Sequence, residues 1–168
     1  FIMPTQLPFF LESQGHGGAR MTGLTLAVLM LTGGVVALGY ARIQHVIGYR
    51  GVYVAGFAAM GTGFLMLMSS ALPAHVFTGA ALIGAGYAAV SPTFVALTLA
   101  LAPSQRRGTA AGILTASVFV GQFISPLLST PIITSAGYDA IFQGTTALLT
   151  SMSAIAATGW LLKSLRRS

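Results

Sequence analysis

Three stretches of this chain place polar and aromatic residues inside long apolar runs, at spacings that could build a binding surface. Tyr87, Ser91, Phe94 and Thr98 recur at i, i+4, i+7 and i+11, which on a helix puts them on one face. Thr115, Phe119, Gln122 and Pro126 repeat that spacing, with Phe123 beside Gln122. The third stretch, Pro4-Thr5-Gln6-Leu7-Pro8-Phe9-Phe10, sets a glutamine between two prolines. Lipid-facing positions rarely hold such side chains, so each stretch needs an inward partner. Two readings are open: a mixed polar and aromatic wall around a cavity, or interhelical hydrogen bonding and packing. Under the first, Gln6, Tyr87 and Gln122 contact a ligand, helped by Phe9, Phe10, Ser91, Phe94, Phe119 and Phe123. Aromatic surface with few hydrogen-bonding groups suits a lipophilic or weakly polar solute.

Other chemistry has no residues to carry it. There is no cysteine, hence no thiolate metal site or thiol nucleophile. His16, His45 and His75 fall between the apolar runs, as do both acids, Glu12 and Asp139. That removes haem ligation by helix histidines, an H-E-x-x-H zinc site and a serine–histidine pair within the apolar runs. Gly15-His16-Gly17-Gly18 is not followed by Lys-Ser or Lys-Thr, so it is a turn and not a phosphate loop. No cofactor and no metal are expected.

The elements that hold these residues follow from composition. Only 6% of the residues are charged while 55% are hydrophobic, and mean hydropathy is +0.84. A soluble domain carries about 25% charged residues, so the solvent of this chain is largely lipid. Its titratable residues sit in six clusters: Glu12, His16 and Arg20; Arg42, His45 and Arg50; His75; Arg106 and Arg107; Asp139; Lys163, Arg166 and Arg167. Between them lie the uncharged runs 1–11, 21–41, 51–74, 76–105, 108–138 and 140–162. A spanning helix needs about 20 apolar residues, and the last five runs reach that length. Backbone groups cannot stay unpaired in hydrocarbon, and the runs lack the period-2 alternation of a barrel, so they are helices. The expected fold is an all-α membrane helix bundle with helices at 1–13, 21–42, 51–72, 75–101, 108–133 and 140–163. The first run covers roughly 16 Å at 1.5 Å per residue, about half a bilayer, and is expected to be a truncated helix.

Short connections make consecutive helices antiparallel neighbours and leave no linker between domains, so residues 1–168 form one domain. Small residues recur every four positions at Gly33, Ala37 and Ala41, at Gly51, Ala55, Ala59 and Gly63, and at Ser117, Gly121 and Ser125. Such stripes let helix backbones approach closely in lipid. Tyr40, Tyr49, Tyr53, Tyr138 and Trp160 fall near span ends, where amphipathic rings prefer the interface.

If the spans alternate, Arg42, Arg50, Arg106, Arg107, Lys163, Arg166 and Arg167 share one side, and Arg20, Glu12 and Asp139 share the other. That asymmetry assigns the basic side and the C-terminus to the cytoplasm of a multi-pass protein of the cell (plasma or inner) membrane. The net charge of +6 is therefore a topology signal; split among short loops, it is no nucleic-acid patch.

Several motifs resemble the major facilitator superfamily, over its seventh to twelfth helices. Ala102-Pro103-Ser104-Gln105-Arg106-Arg107-Gly108-Thr109-Ala110-Ala111-Gly112 is similar to the cytoplasmic turn before the eleventh helix of that family. Gly121-Gln122-Phe123-Ile124-Ser125-Pro126-Leu127 resembles the glycine-then-proline kink of the same helix. The turn ending Gly48-Tyr49-Arg50-Gly51 resembles a degenerate copy of the family's loop signature, without its acid. Pro4-Thr5-Gln6-Leu7-Pro8-Phe9 and the run Arg106-Arg107-Gly108-Thr109-Ala110 look like bacterial drug/proton antiporters and sugar-efflux relatives.

The resemblance implies one six-helix half of a twelve-helix secondary transporter working by alternating access, most simply efflux by proton antiport. The alternatives are a metabolite or sugar uptake symporter of the same superfamily and, from another class, a non-transporting membrane scaffold subunit. Implied partners are a small-molecule substrate, protons, the lipid bilayer and an N-terminal half of the same protein. No span holds an ionisable residue, so a proton-coupling acid is expected in that other half. A transporter is expected to show a reachable cavity joining Gln6, Tyr87 and Gln122, which a scaffold would pack shut.

Overall fold

The computed structural model describes residues 2–15, 17–69 and 72–165. His16, Arg166 and Arg167, named above among the titratable clusters, lie outside the described residues. Four α-helices follow one another: α1 (Ile2–Ser13), α2 (Ala19–Met68), α3 (Pro73–Leu101) and α4 (Arg107–Leu165), with a 3-10 turn at Ser104–Arg106 before α4. There is no strand among the described residues.

At 50 residues α2 would be roughly 75 Å long if straight, against a hydrocarbon core of about 30 Å. It is not straight. Gly48 interrupts it with φ 69° and ψ 170°, and Gly137 interrupts α4 with φ 79° and ψ 177°. Glycine alone adopts this region readily, because a Cβ would meet the neighbouring carbonyl. We therefore divide α2 into arms α2a (19–47) and α2b (49–68), and α4 into α4a (107–136) and α4b (138–165). The expected loop at 42–50 is thus almost wholly helical, and the turn at 135–139 shrinks to one residue.

Contacts show that the arms fold back. Gly33 of α2a meets Gly84 of α3, and Tyr40 meets Thr93, so α2a runs parallel to α3. Gly63 of α2b meets Gly79, and Gly56 meets Gly86 and Val90, so α2b runs antiparallel to α3. On α4b, Thr146 donates to the Gly61 carbonyl at 3.5 Å and Ser153 to the Val54 carbonyl at 2.9 Å, again antiparallel. Six helical segments therefore alternate in direction. One end of the bundle gathers Glu12, His75 and Asp139, and the other gathers Arg42, His45, Arg50, Arg106 and Arg107. α2, α3 and the part of α4 up to Thr158 are long and apolar enough to cross a membrane.

Packing keeps two members of the expected small-residue stripes, Gly33 against Gly84 and Gly63 against Gly79, and adds others. The further tight approaches on α2b are Gly56, against Gly86 and Val90 of α3, and Gly61, against Thr146 and Thr150 of α4b; the four-residue pattern singled out neither these two nor Gly79 and Gly86. Ala55 faces outward, and a Cβ on Gly121 would meet nothing within 4 Å. Three of the tyrosines at span ends also have partners inside the bundle. Thr93 donates to the Ala89 carbonyl at 3.0 Å, so its oxygen is left to accept from the Tyr40 hydroxyl at 2.9 Å. Tyr53 stacks on Phe57 at 5.8 Å, and Tyr138 meets Phe10 edge-on at 5.5 Å. The main core joins Leu7, Phe10 and Leu11 of α1 to Phe64 and Leu67 of α2b, Val76 and Ala80 of α3, and Phe142 of α4b.

Candidate functional site

The face of α3 that carries Tyr87, Ser91 and Phe94 opens onto α4a across a cavity of about 570 Å³. α3 presents these residues together because helical spacing stacks i, i+4 and i+7 on one side. The opposite wall is Leu114, Thr115, Val118 and Phe119 of α4a, and the floor is Phe57 and Met60 of α2b. Tyr87 is 53% exposed and Phe119 64%, so the rings stand at the opening without being spent on packing. Phe94 is held edge-on by Tyr53 at 5.1 Å and reaches Phe57 at 6.4 Å. Ser91, Thr115 and Ser117 supply hydroxyls, and no charged residue lines the cavity.

The two remaining polar anchors lie elsewhere. Gln6 is 8% exposed and donates from Nε2 to the Ser129 hydroxyl at 3.3 Å, tying α1 to α4a. Ser129 is itself buried and donates to the Pro126 carbonyl at 3.4 Å. Gln122 is half-buried on α4a and does not line the cavity with Tyr87. The cavity expected to join Gln6, Tyr87 and Gln122 therefore joins Tyr87 to hydroxyl and aromatic residues instead. The physical reason is that the Gln6 amide reaches a buried hydroxyl within the bundle, which an apolar interior rewards.

Among the aromatic candidates the structure also separates roles. Phe10 is 1% exposed and meets Phe142 edge-on at 4.9 Å, which makes it a core ring. Phe9 and Phe123 point outward, away from the cavity that Phe94 and Phe119 line. Sequence reasoning missed Phe57, Met60, Leu114 and Val118, because apolar residues in an apolar helix carry no signal of which side faces a void. For Phe57 and Met60 the i, i+3 spacing on α2b was the available hint.

No group of three or more His, Cys, Asp or Glu residues able to hold a metal is present among the described residues. The cavity offers ring faces, apolar chains and hydroxyls, and no Asp, Glu, His, Lys or Arg is among its lining residues. Neither a curated protein nor a solved structure matches the chain. The family model described as Major Facilitator Superfamily matches residues 1–167.

Proposed function

The chain belongs to the major facilitator superfamily of secondary transporters, and on that premise we propose that it moves a small lipophilic or weakly polar solute by alternating access, exporting it in exchange for protons. The observation that carries the solute class is the cavity between α3 and α4a, where Phe57, Tyr87, Phe94 and Phe119 surround Ser91 and Thr115 without a charge. Burying an unpaired ion against such a wall is costly, whereas apolar surface gains about 25 cal/mol per Å² removed from water. Hydroxyls at the rim then orient a solute that offers one or two polar atoms. Exchange for protons rests on the likeness of the Pro4–Phe9 stretch to drug/proton antiporters, and its acid belongs to another part of the protein. Residues 1–168 act in this reading as the C-terminal half, with the basic end in the cytoplasm of the cell membrane.

The test uses the full-length protein in liposomes under an imposed proton gradient. Saturable flux of the neutral lipophilic dye N-phenyl-1-naphthylamine that collapses with an uncoupler is expected, as is its reduction by Tyr87→Ala and Phe119→Ala at unchanged protein abundance. Absence of gradient-driven flux of any lipophilic dye, with the protein folded and inserted, refutes the proposal.

A further inference from the structure

A second, smaller cavity lies directly behind the first. It has a volume of about 160 Å³, is partly open where Met30 and Tyr87 are exposed, and is bounded by α1, α2a, α2b and α3 through Met3 and Pro4, Leu29 and Met30, Met60 and Phe64, and Ile83 and Tyr87. Apart from the Tyr87 hydroxyl, every lining side chain is apolar. Met60 and Tyr87 line both cavities, so these two side chains form the partition between them.

The surroundings keep this space from closing. Leu29, Phe64 and Ile83 are buried in the main core and cannot swing inward without breaking it. Their helices are held together by backbone approaches at Gly33, Gly63, Gly79 and Gly84. Met60 lies against Gly86, where its Cγ is 2.7 Å from the place a Cβ would take, so the glycine is what admits the methionine there. α1 closes the remaining side, held by the Gln6–Ser129 bond at 3.3 Å. A space lined by such groups forfeits dispersion contacts and offers an ordered water only the Tyr87 hydroxyl, short of the two or more polar partners that water needs. Apolar cavities of about 150 Å³ accept benzene.

We propose that this cavity is a second subsite, which takes one benzene-sized apolar group of a solute whose remainder lies between α3 and α4a. The inference rests on the transport reading above and narrows it: the preferred solutes are bipartite, a larger weakly polar body carrying one compact apolar substituent. Met60 and Tyr87 act as the flexible partition past which the substituent enters. Methionine suits that place because its unbranched thioether chain changes shape at little cost.

The experiment compares two dyes carried by the full-length protein in liposomes. One is the neutral dye N-phenyl-1-naphthylamine, which bears a phenyl substituent on its naphthylamine body; the other is N-methyl-1-naphthylamine, with methyl in place of that phenyl. The phenyl dye is expected to show a KM about tenfold lower, a modest return for seating a ring in an apolar pocket. Ile83→Phe, which fills the cavity, should bring the ratio of the two KM values close to one. Met30→Phe, at a rim position that is 62% exposed and tolerant of size, should move the ratio the same way. A ratio near one in the unaltered protein overturns the subsite. So does a tenfold ratio that survives both substitutions, since the space then holds a bilayer acyl chain or nothing. Flux of neither dye overturns the transport reading and the subsite with it, and is distinguishable because no KM is then obtained.

Discussion

Replacing Gly79 by alanine isolates what holds α2b against α3. A Cβ at Gly79 would stand 2.8 Å from the Gly63 carbonyl oxygen and 3.2 Å from Leu67 Cγ. The approach is reciprocal, since a Cβ at Gly63 would stand 2.7 Å from the Gly79 carbonyl oxygen. Ordinary contact begins at 3.4 Å, so the helices must part by about 0.6 Å at Gly79. A carbonyl fixed in a helix cannot rotate aside, unlike the end of a long side chain. Forcing a methyl into such a contact costs about 1–3 kcal/mol, set against up to about 1 kcal/mol gained from the better helix propensity of alanine. Gly144→Ala supplies the control, because a Cβ there meets nothing within 4 Å and only the propensity gain applies. The difference between the two variants, about 1–3 kcal/mol, is then the packing cost alone. Thermal unfolding of the detergent-purified full-length protein, read by loss of monodispersity, measures both variants against the parent. Gly79→Ala is expected to unfold at a lower temperature than the parent, or at best near it, and always below Gly144→Ala. Equal unfolding temperatures for the two variants would refute the close approach of α2b and α3 and, with it, the rigid wall that frames both cavities.

Four further outcomes are expected. Single cysteines at positions 75 and 106 of the full-length protein, which adds them to a chain segment lacking any, should react oppositely with an impermeant reagent in intact cells. Labelling at 75 and protection at 106 is the expected pattern, and its reverse would invert the orientation drawn from the arginines. Phe10→Ala should lower membrane abundance, since deleting a buried phenylalanine costs about 3–5 kcal/mol. Tyr87→Ala should instead leave abundance unchanged and lower dye flux, and a parallel loss of both would make Tyr87 a packing residue. Glu12→Gln should leave proton-linked flux intact, because Glu12 lies at the exposed end of α1 beside Gly17; loss of coupling with solute exchange retained would place the coupling acid here after all.

The number of helical segments and their alternation were legible in the residues themselves. Lipid cannot pair with a backbone N–H or satisfy a charge, so runs free of titratable residues had to be helices and the charges between them had to mark the ends. The i, i+4, i+7 spacing likewise put Tyr87, Ser91 and Phe94 on one face before any neighbour was known, and the cavity contains all three. Which residues stand opposite that face belongs to the tertiary structure. Leu114 and Val118 look like every other apolar residue of α4a, and only the placement of α4a beside α3 turns them toward a void. Gln6 and Phe10 fell the other way. Their types suited a binding wall, but Ser129 lies 123 residues along the chain from Gln6, and Phe142 meets Phe10 only once α4b has folded back at Gly137. Periodicity records what one helix offers on each side. It holds no record of the partner's side chain, and it is that side chain which decides whether a polar or aromatic residue is satisfied within the bundle or left free to meet a solute.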